Sequence, residues 1–139
     1  MSHGILDTCV LIDLHVGAVS TGALPDEQAI TALSLGELSF GVAVAATTAD
    51  RLDRQARLDR YRELFRGATF PYDADAAMLF GLVVSSIREH GKGAIRRRTV
   101  DLQIAAIAIA HQLPLYTVNH TDFEGIAALD VVPIERRSA

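Results

Sequence analysis

The chain has 139 residues, half of them hydrophobic, a single cysteine and a formal net charge of −4. That length fits one domain spanning residues 1–139, with enough apolar material for a sizeable core. One thiol excludes an internal disulfide, and the negative charge argues against a general electrostatic coat for nucleic acid, though not against a local basic patch. The chain is apolar for its size, which suits either a partner interface or an alanine-rich helical core.

Gly4–Leu6 reads as a first short, buried strand, and Thr8–Leu14 as a short helix. Residues 17–27 carry glycines, Pro25 and two acids and read as a loop. Gln28–Leu33 is a second strand, followed by a helix over Ser34–Ala46. Between Ala49 and Arg66 the apolar residues Leu52, Ala56, Tyr61, Leu64 and Phe65 recur at helical spacing, with six arginines mostly on the other face. Thr69–Tyr72 is a third strand, and Asp73 opens a helix to about His90. Residues 91–98, GKGAIRRR, form a basic loop. Thr99 is placed to cap a helix running to about Gln112, with Val100, Ile104, Ile107 and Ala108 as its buried stripe. Leu115–Val118 and Val131–Ile134 are the fourth and fifth strands, and Pro133 marks a sheet edge.

Short apolar strands alternating with helices predict an α/β fold, a parallel sheet covered on both faces. No signal peptide is visible, because Asp7 and Asp13 interrupt the first apolar stretch. Ile104–Ala110 is too short to span a bilayer. A cytoplasmic protein is expected, with no membrane partner.

In open parallel sheets, ligands bind beyond the carboxyl ends of the strands. Four acids fall there. Asp7 ends strand one, Glu37 lies in the first turn after strand two, Asp101 lies in the first turn of the apolar helix, and Asp122 follows strand four. Carboxylates gathered at one sheet edge repel one another, and a divalent cation with a taste for oxygen, such as Mg²⁺, removes that penalty. Each acid also has a plainer role. Ser34-Leu35-Gly36-Glu37 fits a capping box, Asp101 suits a helix dipole, and Asp122 suits a turn. Asp7, set between two apolar runs, has the weakest plain explanation.

The other polar residues read as structural. Asp73 and Asp75 cap and charge a helix start, Asp13 lies on a solvated helix face, and Asp50, Asp53 and Asp59 pair with neighbouring arginines. The five histidines show no metal-ligand spacing, and Cys9 reads as a small packing residue.

Asp7-Thr8-Cys9-Val10-Leu11-Ile12, Glu37-Leu38-Ser39-Phe40-Gly41, Asp101-Leu102-Gln103-Ile104-Ala105-Ala106 and Thr117-Val118-Asn119-His120-Thr121-Asp122-Phe123, in that order, resemble the PIN-domain ribonucleases, in particular the VapC-type toxins of bacterial type II toxin–antitoxin pairs. The resemblance covers nearly the whole chain. It implies a PIN-like three-layer sandwich, a five-stranded parallel sheet with helices on both faces. It implies endoribonuclease activity dependent on Mg²⁺ or Mn²⁺, leaving a 5′-phosphate and a 3′-hydroxyl.

By residue, Asp7, Glu37, Asp101 and Asp122 match the family's acidic quartet. Asp7 and Asp101 match the acids tied most directly to metal, and Thr117 and Asn119 match small polar residues that orient the quartet. Some relatives carry an acid where this chain has Asn119, which leaves the number of metal ions open. Glu37 or Asp122 is placed to orient the attacking water. The resemblance also implies a homodimer and a VapB-type antitoxin as partner, with the apolar stripe within residues 52–65 as a docking place. Arg96, Arg97 and Arg98, just before Asp101, are candidates for holding RNA phosphates.

Two other readings compete. A phospho-accepting receiver domain shares an acidic metal pocket but needs a lysine after a late strand, and the only lysine, Lys92, is in the basic loop. A catalytically silent PIN domain, binding RNA or regulating a partner, has no need of an intact quartet.

Overall fold

In the computed structural model, residues 1–89 and 98–137 are described. Their first strand, β1 (His3–Leu6), is buried over Gly4–Leu6 and sits in the middle of a five-stranded sheet ordered β3-β2-β1-β4-β5. The others are β2 (Glu27–Thr31), β3 (Thr69–Phe70), β4 (Leu115–Thr117) and β5 (Val131–Pro133), and every pairing is parallel. β5 is an edge strand, which accommodates Pro133 because one side of it needs no ladder partner. The expected α/β sheet is therefore present.

Side chains alternate across the sheet as the pleat requires. Ile5, Ala29 and Leu115 face one core, with helices α4 (Ala74–Glu89) and α5 (Thr99–Ala110). Leu6, Ile30 and Tyr116 face the other, with α1 (Thr8–His15), α2 (Ala32–Ala43) and α3 (Thr48–Leu64). These are the three layers. Gly4 lets β1 and β4 lie close, since a Cβ there would collide with the Tyr116 ring.

Several boundaries differ from the sequence reading. α2 begins at Ala32, with Thr31 as its N-cap, its hydroxyl accepting from the Ser34 N–H at 3.2 Å. Ser34 is thus inside the helix, and the Ser34–Glu37 capping box does not form. α5 begins at Thr99 with Arg98 at the N-cap and no side-chain capping bond, so Thr99 is the first helical residue rather than the cap. α5 is buried on more than one stripe, Ala105 and Ala106 included, because it lies within the helical layer over the sheet.

On α3 the inward residues are Arg57, Leu58, Tyr61 and Phe65, while Leu52 and Leu64 are exposed. Tyr61 and Phe65 fit the expected stripe. The first turns of the buried face are completed by arginine stems, which cover apolar surface as aliphatic chains do. Among the described residues, no arginine pairs with Asp50, Asp53 or Asp59. Asp53 meets His15, and Asp59 accepts from Gln55. Asp13 is buried and held by the Arg136 guanidinium at 2.7 Å, not solvated. Asp73 does cap a helix start, accepting from the Ala76 N–H at 3.0 Å.

α1 and α5 end alike. Ala18 N–H donates to the Asp13 carbonyl and Gly17 N–H to Leu14, as Leu113 and Gln112 donate to Ala108 and Ile109. This pair of hydrogen bonds closes a helix with one left-handed residue, glycine by preference. Gly17 provides it at α1 (φ 76°), whereas at α5 the position is held by Gln112 (φ 54°).

Candidate active site

The sheet order reverses at β1. The chain moves outward from β1 to β2 and β3, then returns to β1's other side with β4. A crevice opens at the carboxyl ends of strands where such a reversal occurs. Asp7 follows β1 directly, and Thr117 ends β4 beside it.

Asp7 is 3 % exposed, and its oxygens are held from three directions. Oδ1 accepts the Thr8 N–H at 2.9 Å, capping α1. Oδ2 accepts the Thr117 hydroxyl at 2.8 Å and the Cys9 thiol at 3.3 Å. Burial pushes its pKa up; the three hydrogen bonds oppose this, and the Asp122 charge adds to it.

Thr8 connects Asp7 to α2. Its hydroxyl donates to Glu37 Oε1 at 2.6 Å. That hydroxyl has one proton, so at 2.8 Å from Ser34 Oγ it is the acceptor. A chain of donors thus runs from Ser34 through Thr8 to Glu37. Burial raises the Glu37 pKa first, and the Asp7 charge raises it further against the Thr8 bond. Asp101 stands at the start of α5, its pKa pushed up to about 6 by burial and then by the charges of Asp7, Glu37 and Asp122, with Arg98 opposing. Asp122 is exposed in a 3-10 turn, His120–Phe123, whose backbone bonds to the Asn119 carbonyl at 3.0 Å.

The four acids therefore share one electrostatic neighbourhood. Thr117 orients Asp7 directly. Asn119 acts through its backbone, its N–H donating to Thr117 Oγ1 at 3.0 Å. Arg98 lies beside Asp101, with Nε and Nη2 buried and lacking hydrogen-bond partners among the described residues. Arg96 and Arg97 lie outside the described residues.

The sequence reading overlooked Thr8 and Ser34, and it took Cys9 for packing. Cys9 is half-buried, and its thiol pKa is pushed up to about 11, by burial first and then by Asp7, so it stays protonated and donating. The only signal for these residues was proximity, two within two residues of Asp7 and one a helical turn before Glu37.

All the acid oxygens are hard donors. They suit a divalent cation that keeps several waters and takes only one or two carboxylates directly. Among the described residues, no three carboxylate, imidazole or thiol groups are placed to hold a metal ion together.

No family model matches the chain. Ribonuclease VapC5 of Mycobacterium tuberculosis (strain ATCC 25618 / H37Rv) is 36 % identical over 135 residues, covering 94 % of this chain and 95 % of that protein. The chain belongs to the VapC family. A second VapC relative, Ribonuclease VapC of Rickettsia bellii (strain RML369-C), is 28 % identical over 132 residues, covering 94 % of this chain and 95 % of its own. The VapC assignment extends to structure. The crystal structure of VapBC-5 from Mycobacterium tuberculosis, a member of the VapBC family of toxin-antitoxin systems, contains a chain that superposes with a TM-score of 0.80 at 31 % identity, over 96 % of this chain and 99 % of that one.

Proposed function

We propose that this VapC-family chain is a metal-dependent endoribonuclease and the toxin of a toxin–antitoxin pair. The observation that carries the reading is the buried Asp7 carboxylate, braced from α1 and β4 within the field of Glu37, Asp101 and Asp122. A buried charge so placed is costly in a merely structural role and useful beside a cation.

Asp7 and Asp101 would hold Mg²⁺ or Mn²⁺. When bound, the ion lowers the pKa of water and offsets charge on phosphate oxygens. Thr117 and Cys9 fix the rotamer of Asp7. Thr8 holds Glu37 so that its second oxygen stays free to orient a water, and Asp122, exposed at the mouth, is the other candidate for that task. Arg98 supplies a positive charge beside Asp101 for an RNA phosphate, with Arg96 and Arg97 preceding it.

Ribonuclease naming among the relatives and VapBC complexes among the similar structures support an RNA substrate and an antitoxin partner. No helix among the described residues is long and apolar enough to cross a membrane, in keeping with action in the cytoplasm. Homodimerisation follows from the family reading, and Met78 and Leu82, exposed one turn apart on α4, offer apolar surface for it. Tyr61 and Phe65 belong to the core, so these two residues of the 52–65 stripe are not available to an antitoxin.

The test is cleavage of RNA by the purified chain in Mg²⁺, with and without chelator, beside Asp7→Asn. Asparagine keeps the cap on Thr8 through its one oxygen while its amide nitrogen faces Thr117 and Cys9, so a melting curve accompanies the assay to separate loss of charge from loss of fold. Loss of cleavage with chelator and in the variant is expected. Binding of RNA without cleavage by the wild-type chain would instead favour the silent regulatory domain.

A further inference from the structure

The three helices over one face of the sheet meet around an arginine that has no partner among the described residues. On α3, Asp53, Arg57 and Tyr61 follow one another at one-turn intervals and form one row. Both ends of the row are pinned to α1. His15 Nε2 lies 3.1 Å from Asp53 Oδ1, and the Tyr61 hydroxyl donates to the Leu11 carbonyl at 2.6 Å. Leu11 and His15 are themselves one turn apart. Arg57 lies between the pins, and α2 closes the third side at Gly41, where a Cβ would stand 3.7 Å from Arg57 Nη2.

Arg57 is 9 % exposed, yet it makes no hydrogen bond or ion pair among the described residues, and its Nε is fully buried without an acceptor. Its neighbour Arg54 is different, donating to the Gly41 carbonyl at 2.7 Å. A second orphan lies on the adjoining helix, the buried Nδ1 of His15. Asp53, the acid of the same row, is already occupied by His15. A guanidinium buried at Nε with neither acceptor nor counter-charge is costly for a fold to carry.

The surroundings tell what kind of anion would answer it. Phe40 on α2 and Val44 at its C-cap stand one turn apart, flanking Gly41, and are 68 % and 55 % exposed. The same edge of α2 carries Glu37 one turn earlier, so it runs from this junction to the acid site. A nucleic acid would bring phosphate and a base to stack on Phe40, but no aliphatic group to match Val44. A protein segment bearing one acid among apolar residues satisfies both.

We propose that the α1–α2–α3 junction receives a carboxylate from the antitoxin, which pairs with Arg57 while apolar residues of the same segment cover Phe40 and Val44. This rests on the toxin–antitoxin reading above and adds the chemistry of the contact. Much of the desolvation of Arg57, Nε included, has been met in the free chain, so forming the pair in the complex carries a smaller penalty than it would from an exposed arginine. A segment seated along this edge of α2 ends near Glu37, which joins docking to inhibition.

The experiment compares wild type, Arg57→Met and Arg57→Lys, each as the full chain, alone and with the cognate antitoxin co-expressed. Methionine keeps most of the stem and removes the charge. Free Arg57→Met is expected to melt at or above the wild-type temperature and to cleave RNA at the wild-type rate. Its affinity for the antitoxin is expected to fall at least about fivefold, with a flatter salt dependence, as the loss of a charged hydrogen bond implies. Arg57→Lys restores part of the affinity. A smaller loss overturns the proposal. So does a lower melting temperature for free Arg57→Met, which would mean the guanidinium is already satisfied in the chain alone, or a parallel loss of RNA affinity, which would assign the site to phosphate. Failure of the wild-type chain to form any complex overturns the antitoxin reading itself, whatever residue 57 is.

Discussion

Both oxygens of Asp7 are engaged before any ligand arrives, one by a backbone N–H and the other by a hydroxyl and a thiol. Glu37 is held on one oxygen only, by Thr8. The consequence is a test that separates charge from hydrogen bonding. Glu37→Gln keeps an acceptor for Thr8, so its melting temperature should stay near that of wild type, while RNA cleavage should fall severely. Normal cleavage by that variant would remove Glu37 from the site. The sequence offered a competing account of Glu37 as half of a capping box, because Ser34 stands three residues before it. That account fails because Thr31 takes the cap and Ser34 turns instead to Thr8. Such a choice depends on where α1 lies, which no local pattern encodes. Asp101 gives a pH-dependent test. Its carboxyl is raised from 3.8 to about 6, so the folded chain binds its proton more tightly than the unfolded chain does. In metal-free protein, stability from this group is complete below 3.8 and is lost as pH rises through about 6. Asp101→Asn should therefore melt above wild type at pH 7.5, and the difference should vanish near pH 4. Thermal melts in chelator at the two pH values check this.

At the scale of elements, the strands and the placement of the acids at their carboxyl ends were legible, because buried parallel strands are short, apolar and bounded by turn residues. α3 was legible as a helix but not in its facing. Leu52 and Leu64 drew the apolar stripe outward, while Arg54 and Arg57 fill part of the inner side. A hydropathy pattern scores an arginine by its charge and misses its stem. The two left-handed helix closures yield a stability prediction. Gln112 carries a side chain where Gly17 has none, and Gln112→Gly should raise stability by about 0.5–1 kcal/mol without altering cleavage. Thermal melting beside an RNA assay measures both. The opposite change at Gly4 should be harmful. A methyl group there meets the Tyr116 ring, the residue before Thr117, so Gly4→Ala should cost about 1–3 kcal/mol and lower cleavage as β4 shifts. Unchanged melting would mean the ring has room to move.

For the whole molecule, the sheet order places β1 between its early partner β2 and its late partner β4. This also explains which parts of the site resisted sequence reading. Asp7 is recognisable from its apolar neighbours, but Thr117, which braces it, is 110 residues distant and gains its meaning only from the pairing. The same distance governs when the site comes into being. During synthesis the N-terminal part emerges first and pairs first, whereas a contact spanning most of the chain must wait for its far half. A ribosome still elongating this protein can hold Asp7, Thr8 and Glu37 in place but has neither Thr117 nor Asp122 to set beside them. On the proposed activity, a half-made chain is unarmed while it is still tethered to the RNA-rich machine that makes it.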